Sequence, residues 1–255
     1  DMLHESTDFP AGTTRYTAGW RSVAASLSDL AAMGAVPTAA VAAYADEAFL
    51  DHELRAFVDG ARAVCEAVGT EYVGGDLDHH SEFTVATTAV GDVDQPVFRS
   101  GARTDDRVCV TGTVGRSAAA LALFDRGETE RANELFQFTP RIEAGRRVAG
   151  TATAMMDSSD GLARSLHQLA EASDCGFAIT RDSVPIDAAV DTVDIDRWEA
   201  GVHFGEDFEL VFTIPEAALS AVETDVPITV IGRVTDSEAG VTVDGEPLAD
   251  RGYTH

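Results

Sequence analysis

The chain has 255 residues, 44 of them acidic and 18 basic, giving a formal net charge of −26; lysine is absent, so every basic residue other than histidine is arginine. That balance excludes nucleic-acid binding through a basic face, and no apolar run reaches the ~18–20 residues of a membrane span. Hydrophobic residues make up 45% of the chain and recur at regular spacings, which argues against disorder; the charge then reads as adaptation to concentrated salt, where a Debye length of about 3 Å screens self-repulsion.

In chain order, a short loop leads into an expected helix over 16–33, with Trp20, Val23, Ala24, Leu27, Leu30 and Ala31 on one face, ended by Gly34 and Pro37. A short strand over 41–44 and a helix over about 48–68 follow, the latter striped by Leu50, Leu54, Phe57, Val58 and Val64. Tyr72-Val73 leads to a strand end at Gly74-Gly75-Asp76, and 82–90 has the β-rich composition of a strand. The polar stretch 100–106 marks a boundary, dividing the chain into 1–104 and 105–255. Beyond it come a strand over 107–111, helical segments over 116–124, 128–138 and 140–150, a strand over 151–156, a helix over 159–172, and strands over 176–180, 228–234 and 241–243. Strands in runs followed by helices indicate α+β units rather than one doubly wound sheet.

The stretch Met156-Asp157-Ser158-Ser159-Asp160-Gly161-Leu162 carries the strongest chemical signal. Two carboxylates at the end of an apolar strand need a partner. A divalent cation is the simplest one, and Mg²⁺ is held by a few carboxylates together with phosphate oxygens and water. The free N–H groups of the helix that follows favour a phosphate. Asp29, with small and apolar neighbours in its helix, Asp76 after Gly74-Gly75, and Asp1 before Met2-Leu3 are further candidate ligands. Asp105-Asp106 and the group Asp191, Asp194, Asp196 read as solvated surface, and His79-His80 as a polar loop rather than a zinc site. Cys65, Cys109 and Cys175 have neither zinc nor disulfide spacing and fit a reduced cytosol. No secretory leader pattern is visible, so the expected location is cytoplasmic. A Walker-type phosphate loop and the kinase lysine–glutamate pair both require lysine, and no Gly-x-Ser-x-Gly elbow is present. If phosphate is handled here, carboxylates handle it through metal ions, with help from an arginine; Arg99 and Arg103 are equally eligible by charge.

Seven motifs occur in one order: Asp1-Met2-Leu3; Ser26-Leu27-Ser28-Asp29-Leu30-Ala31-Ala32-Met33-Gly34-Ala35; Gly74-Gly75-Asp76; Arg99-Ser100-Gly101-Ala102; Val110-Thr111-Gly112; Met156 to Leu162; and Gly205-Glu206-Asp207-Phe208-Glu209-Leu210. Together they resemble the thiamine-monophosphate kinases, of the superfamily of aminoimidazole-ribonucleotide synthetase and selenophosphate synthetase. The resemblance implies a homodimer. Each subunit has an N-terminal α+β domain whose sheet forms a barrel across the dimer, and a C-terminal α/β domain. It implies direct transfer of the ATP γ-phosphoryl group to thiamine monophosphate. Asp1, Asp29, Asp76, Asp157 and Asp160 would hold Mg²⁺, and Gly75, Asp76, Arg99 and Ser159 would contact ATP as co-substrate. Asp8, where the family often has His, Glu206 and Tyr253 would meet the second substrate. Catalysis would come from positioning and metal ions, without a catalytic side chain. The family also carries an upstream Gly-Asp-Asp-type motif, and the chain as given opens after it. Competing readings are another ATP-using synthetase of the superfamily, although the chain has no reactive Cys near its start, and a nucleotide- or thiamine-binding protein without turnover.

Overall fold

The computed structural model describes residues 1–252. Two sheets organise them. The first has the order β1-β4-β2-β3, formed by β1 (Met2–His4), β2 (Val36–Asp46), β3 (Tyr72–His79) and β4 (Thr84–Asp92). Only the β2–β3 pair is parallel, joined through helix α3 (Asp51–Ala67). Helix α1 (Glu5–Asp8) is a single turn. Helix α2 (Arg15–Ala32) starts at Thr14, whose hydroxyl accepts from the Thr17 N–H. α2 and α3 cover one sheet face with a core of Leu27, Phe57, Val64, Phe83 and Val85.

The second sheet has seven strands in the order β11-β10-β7-β9-β5-β8-β6. Its strands are β5 (Arg107–Thr111), β6 (Ala154–Asp157), β7 (Cys175–Ile179), β8 (Leu210–Ile214), β9 (Ile228–Asp236), β10 (Val241–Val243) and β11 (Glu246–Pro247). Only β7–β10 is parallel. Helices α4 (Arg116–Asp125), α5 (Thr129–Phe136), α6 (Ile142–Ala149), α7 (Leu162–Ser173) and α8 (Glu216–Leu219) pack around it, and a π-helical turn spans Glu199–His203. The α+β expectation holds. No helix among the described residues is long and apolar enough to cross a membrane.

The two sheets are joined through helix backbones. A Cβ on Gly145 of α6 would lie 2.2 Å from the Ala31 carbonyl oxygen of α2, so only glycine permits this approach. The contact sets the C-terminal turn of α2, with Ser28 and Asp29, beside the end of β6.

Several expectations need correction. β2 runs over eleven residues rather than four, because its alanine-rich sequence carries little β signal but is paired on both sides. β3 continues straight through Gly74-Gly75-Asp76, where a strand end was expected. Gly75 lies against β2 so closely that a Cβ would meet the Ala42 carbonyl at 1.7 Å. Asp106 is buried rather than solvated; its Oδ2 accepts from the Arg103 N–H at 3.1 Å and the Thr153 hydroxyl at 2.7 Å. The edge strand β1 was not anticipated.

Candidate active site

Strands β6 and β8 pair antiparallel with Asp157 opposite Leu210, so the loop leaving β6 and the loop entering β8 emerge side by side. Backbone bonds stitch them together: Glu206 N donates to Ser159 O at 2.6 Å, Phe208 N to Ser158 O at 3.2 Å, and Ser158 N to Glu209 O at 2.8 Å. The Asp157–Gly161 motif and the Gly205–Leu210 motif are therefore one structure. Gly205, Glu206 and Phe208 all have φ between 54° and 87°, a conformation that costs non-glycine residues energy and persists only when the surroundings enforce it.

On one side of these loops lies a carboxylate corner. Asp157 is buried, and its Oδ2 accepts from the Ser28 hydroxyl of α2 at 2.7 Å. Burial pushes its carboxyl up to about 6; the Ser28 hydrogen bond opposes the shift and neighbouring Asp29 adds to it. Partial desolvation at this corner raises Asp29 as well, although the residue keeps an exposed face. Arg99, on the linker between the sheets, lies close enough to lower both. Asp1 joins from β1's edge, its Oδ2 accepting from the Ser26 hydroxyl at 2.8 Å. Arg103 donates its backbone N–H to Asp106 in a turn, so Arg99 is the linker arginine that faces the carboxylates.

The other side opens on a cavity of about 290 Å³ lined by Asp8, Phe9, Phe124, Phe136, Phe204 and Glu206. It adjoins a wider cleft of about 1130 Å³ through Leu121, Asp125 and Phe204. Asp160, Arg164, Glu199 and His203 line that cleft, and a Cβ on Gly252 would lie 2.2 Å from the Asp160 carbonyl oxygen. The next residue, Tyr253, lies outside the described residues.

The expected site residues thus separate into groups. Asp1, Asp29, Asp157 and Arg99 come together. Asp8 and Glu206 share the aromatic cavity, and Ser159 lies at the junction of the two loops. Asp160 faces the wide cleft instead. Asp76 is exposed on the edge strand, in the row Met2–Ala86–Ala43–Asp76. Three strand spacings, roughly 14 Å, separate it from β1. Among the described residues, no group of three or more His, Cys, Asp or Glu is placed to hold one metal ion. Within one chain the width of the sheet keeps Asp76 away from the other aspartates. The neighbouring carboxylates of Asp29 and Asp157 suit Mg²⁺, which takes one or two carboxylates plus substrate phosphates rather than a full protein cage.

Comparison with known proteins bears on this geometry. Residues 1–93 match the AIR synthase related protein, N-terminal domain, and residues 103–244 match the AIR synthase related protein, C-terminal domain. A thiamine-monophosphate kinase of Halobacterium salinarum is 63% identical over the full chain and 89% of its own length. The chain belongs to the thiamine-monophosphate kinase family. The family member of Methanospirillum hungatei is 42% identical over the full chain and 86% of its own length. Among solved structures, AaThiL complexed with AMPPCP and TMP superposes with a TM-score of 0.91 at 28% identity, covering 100% of this chain and 85% of that one. The thiamine-monophosphate kinase of Stenotrophomonas maltophilia gives 0.86 at 32% identity, covering 96% of this chain and 84% of that one.

Within this family member, the roles of three structurally prominent residues escaped the sequence reading. Asp207 is buried and accepts from the Gly115 N–H and, at 2.9 Å, the Ser117 N–H, capping α4; burial raises its carboxyl to about 7 against the pull of those two bonds. Glu209 is buried, bonded to Arg141 and to the Thr111 hydroxyl. Arg21 is buried within α2. Asp207 and Glu209 lie inside the recognised Gly205–Leu210 motif, which names no partner for either, and Arg21 lies in an amphipathic helix. The one available signal was a charged residue within a mostly apolar helix, which Arg21 shares with Asp29.

Proposed function

We propose that the chain transfers the γ-phosphoryl group of ATP to thiamine monophosphate, giving thiamine diphosphate and ADP. The observation that carries the reading is the placement of a cation-seeking carboxylate corner and an aromatic, acidic cavity on two sides of one loop pair. The corner suits a metal-bound polyphosphate, and the cavity suits a cationic heteroaromatic ring. The full-length similarity to curated thiamine-monophosphate kinases, and to an enzyme solved with AMPPCP and TMP, supports the same assignment.

In this reading a phosphate oxygen of thiamine monophosphate attacks the γ-phosphorus. A new P–O bond forms, the bond to the β–γ bridging oxygen breaks, and ADP leaves. The attacker is already anionic, so the chain needs no general base, and its work is alignment and charge stabilisation. Asp157 and Asp29, with Asp1, would hold Mg²⁺, whose positive charge offsets the repulsion between two phosphorylated substrates. Arg99 adds a fixed positive charge at the same corner. Ser159 and the N–H groups entering α7 offer donors to phosphate. Glu206, Asp8 and the phenylalanine rings seat the thiamine end.

The same proposal includes the assembly. The uncovered face of the first sheet exposes Met2, Val36, Val41 and Val90, an apolar surface suited to a second copy. Such pairing closes the two sheets into a barrel and supplies the far-edge Gly75-Asp76 with a route to the phosphates. We place the division between the two units at 104/105, in the polar linker. The net charge and the halobacterial relative support a halophilic, cytoplasmic enzyme. The test is incubation with ATP, Mg²⁺ and thiamine monophosphate in molar KCl. Thiamine diphosphate and ADP are expected in equal amounts. Binding of both ligands without product would instead identify a binding protein.

A further inference from the structure

Arg21 is the largest fully buried side chain among the described residues. Its guanidinium reaches three elements of the C-terminal unit from α2. Nη1 donates to the Phe136 carbonyl at 2.8 Å. Nη2 donates to the Glu206 carbonyl at 2.9 Å and to Glu206 Oε2 at 2.7 Å, with the Ser117 hydroxyl at 3.4 Å. The cation lies 3.7 Å above the Phe136 ring. One donor, Nε, has no hydrogen-bond partner. A buried charge with an orphaned donor is an expensive way to fill space, and an apolar side chain of similar volume would pack at lower cost. The charge is therefore kept for what it holds.

What it holds is Glu206 from both ends, carbonyl and carboxylate. The Glu206 backbone sits at φ 64°, and the Ser117 hydroxyl donates to the same carbonyl at 2.6 Å. Glu206 lines the 290 Å³ cavity together with Asp8 and Phe136, the ring over which the Arg21 cation lies. A carboxylate on a strained loop would otherwise sample several directions. Pinned through Oε2, it presents an acceptor in one direction, which favours a ligand carrying an N–H donor on an aromatic ring.

We propose that Arg21 is a positioning residue for the thiamine-phosphate substrate, acting by fixing the direction of the Glu206 carboxylate and leaving the ATP side of the site untouched. This rests on the reading of the cavity given above. Arg21→Gln removes the charge but keeps a donor, and Arg21→Lys keeps the charge. In molar KCl, Arg21→Gln should raise the KM for thiamine monophosphate about tenfold to a hundredfold, the scale of a lost charge-assisted bond. The KM for ATP should stay within about twofold, and Arg21→Lys should recover most of the loss. In an Arg21→Gln/Glu206→Gln double variant the loss should not exceed that of Glu206→Gln alone, because both changes disable one device. A joint rise of both KM values, a fall in kcat alone, equal behaviour of the Gln and Lys variants, or fully additive losses would each overturn the role. If Arg21→Gln does not fold, Arg21→Lys decides alone: a KM rise of about threefold confined to thiamine monophosphate supports the role, and an unchanged KM or a rise common to both substrates rejects it. A wild-type protein that does not turn over thiamine monophosphate rejects the substrate reading itself, and the Arg21 assignment with it.

Discussion

Asp157 and Asp207 are both enclosed carboxylates beside the β6–β8 pair, and burial pushes both up, to about 6 and about 7. Their surroundings differ in kind. Asp207 meets two backbone N–H groups at the start of α4, which the helix needs answered in any case. Asp157 meets the Ser28 hydroxyl and its own backbone N–H, and has a second carboxylate beside it. A carboxylate matched by backbone donors is a cap that holds the fold. One with fewer donors and set against like charge would, in the proposed function, meet a cation that comes and goes with substrate.

The contrast can be broken by substitution. Asp157→Asn should lower turnover by about a thousandfold or more, the scale of losing a group that stabilises transferring phosphoryl charge. Its melting temperature in metal-free buffer should not fall, because a costly buried charge has gone; a large drop would class Asp157 with Asp207. In wild-type protein, Mg²⁺ at about a hundred times its dissociation constant should add about 2.7 kcal/mol of stability, seen as a raised Tm. Asp157→Asn should lose that increment and Asp207→Asn should keep it. Asp207→Ala strands two helix N–H groups and should cost about 1–3 kcal/mol in denaturant unfolding, with an unchanged Tm counting against the cap.

The smallest effect is a pH slope. The folded pKa of Asp207 lies above its ordinary value of 3.8, so its protonated form favours the fold between the two, and that contribution is lost as pH rises through about 7. Between pH 5.5 and 7.5, wild-type protein should lose about 1–2 kcal/mol more stability than Asp207→Asn. Parallel curves would place the titration elsewhere.

The sequence made the outline legible where periodicity was strong. α2 and α3 were visible as amphipathic stripes, β5 and β10 were found at their actual bounds, and the Asp157 and Glu206 motifs were recognised from residue type and order. It could not show that these two motifs form one structure, since that follows from the β6–β8 register across some fifty residues. Nor could it show that Asp76 lies across a sheet from Asp1, because spacing along a chain carries no strand order. The roles of Arg21 and Asp207 stayed hidden for a related reason: their partners come from distant segments, and neither a charge in a helix nor one acid among several in a motif names them.

The backbone-to-backbone seating of Gly145 on Ala31 bears on how ligands arrive. A pivot between the two sheets would have to prise two helices apart at a point where no side chain cushions them, so the halves behave as one rigid frame. This frame should give matched, slow amide exchange in α2 and α6, with or without nucleotide.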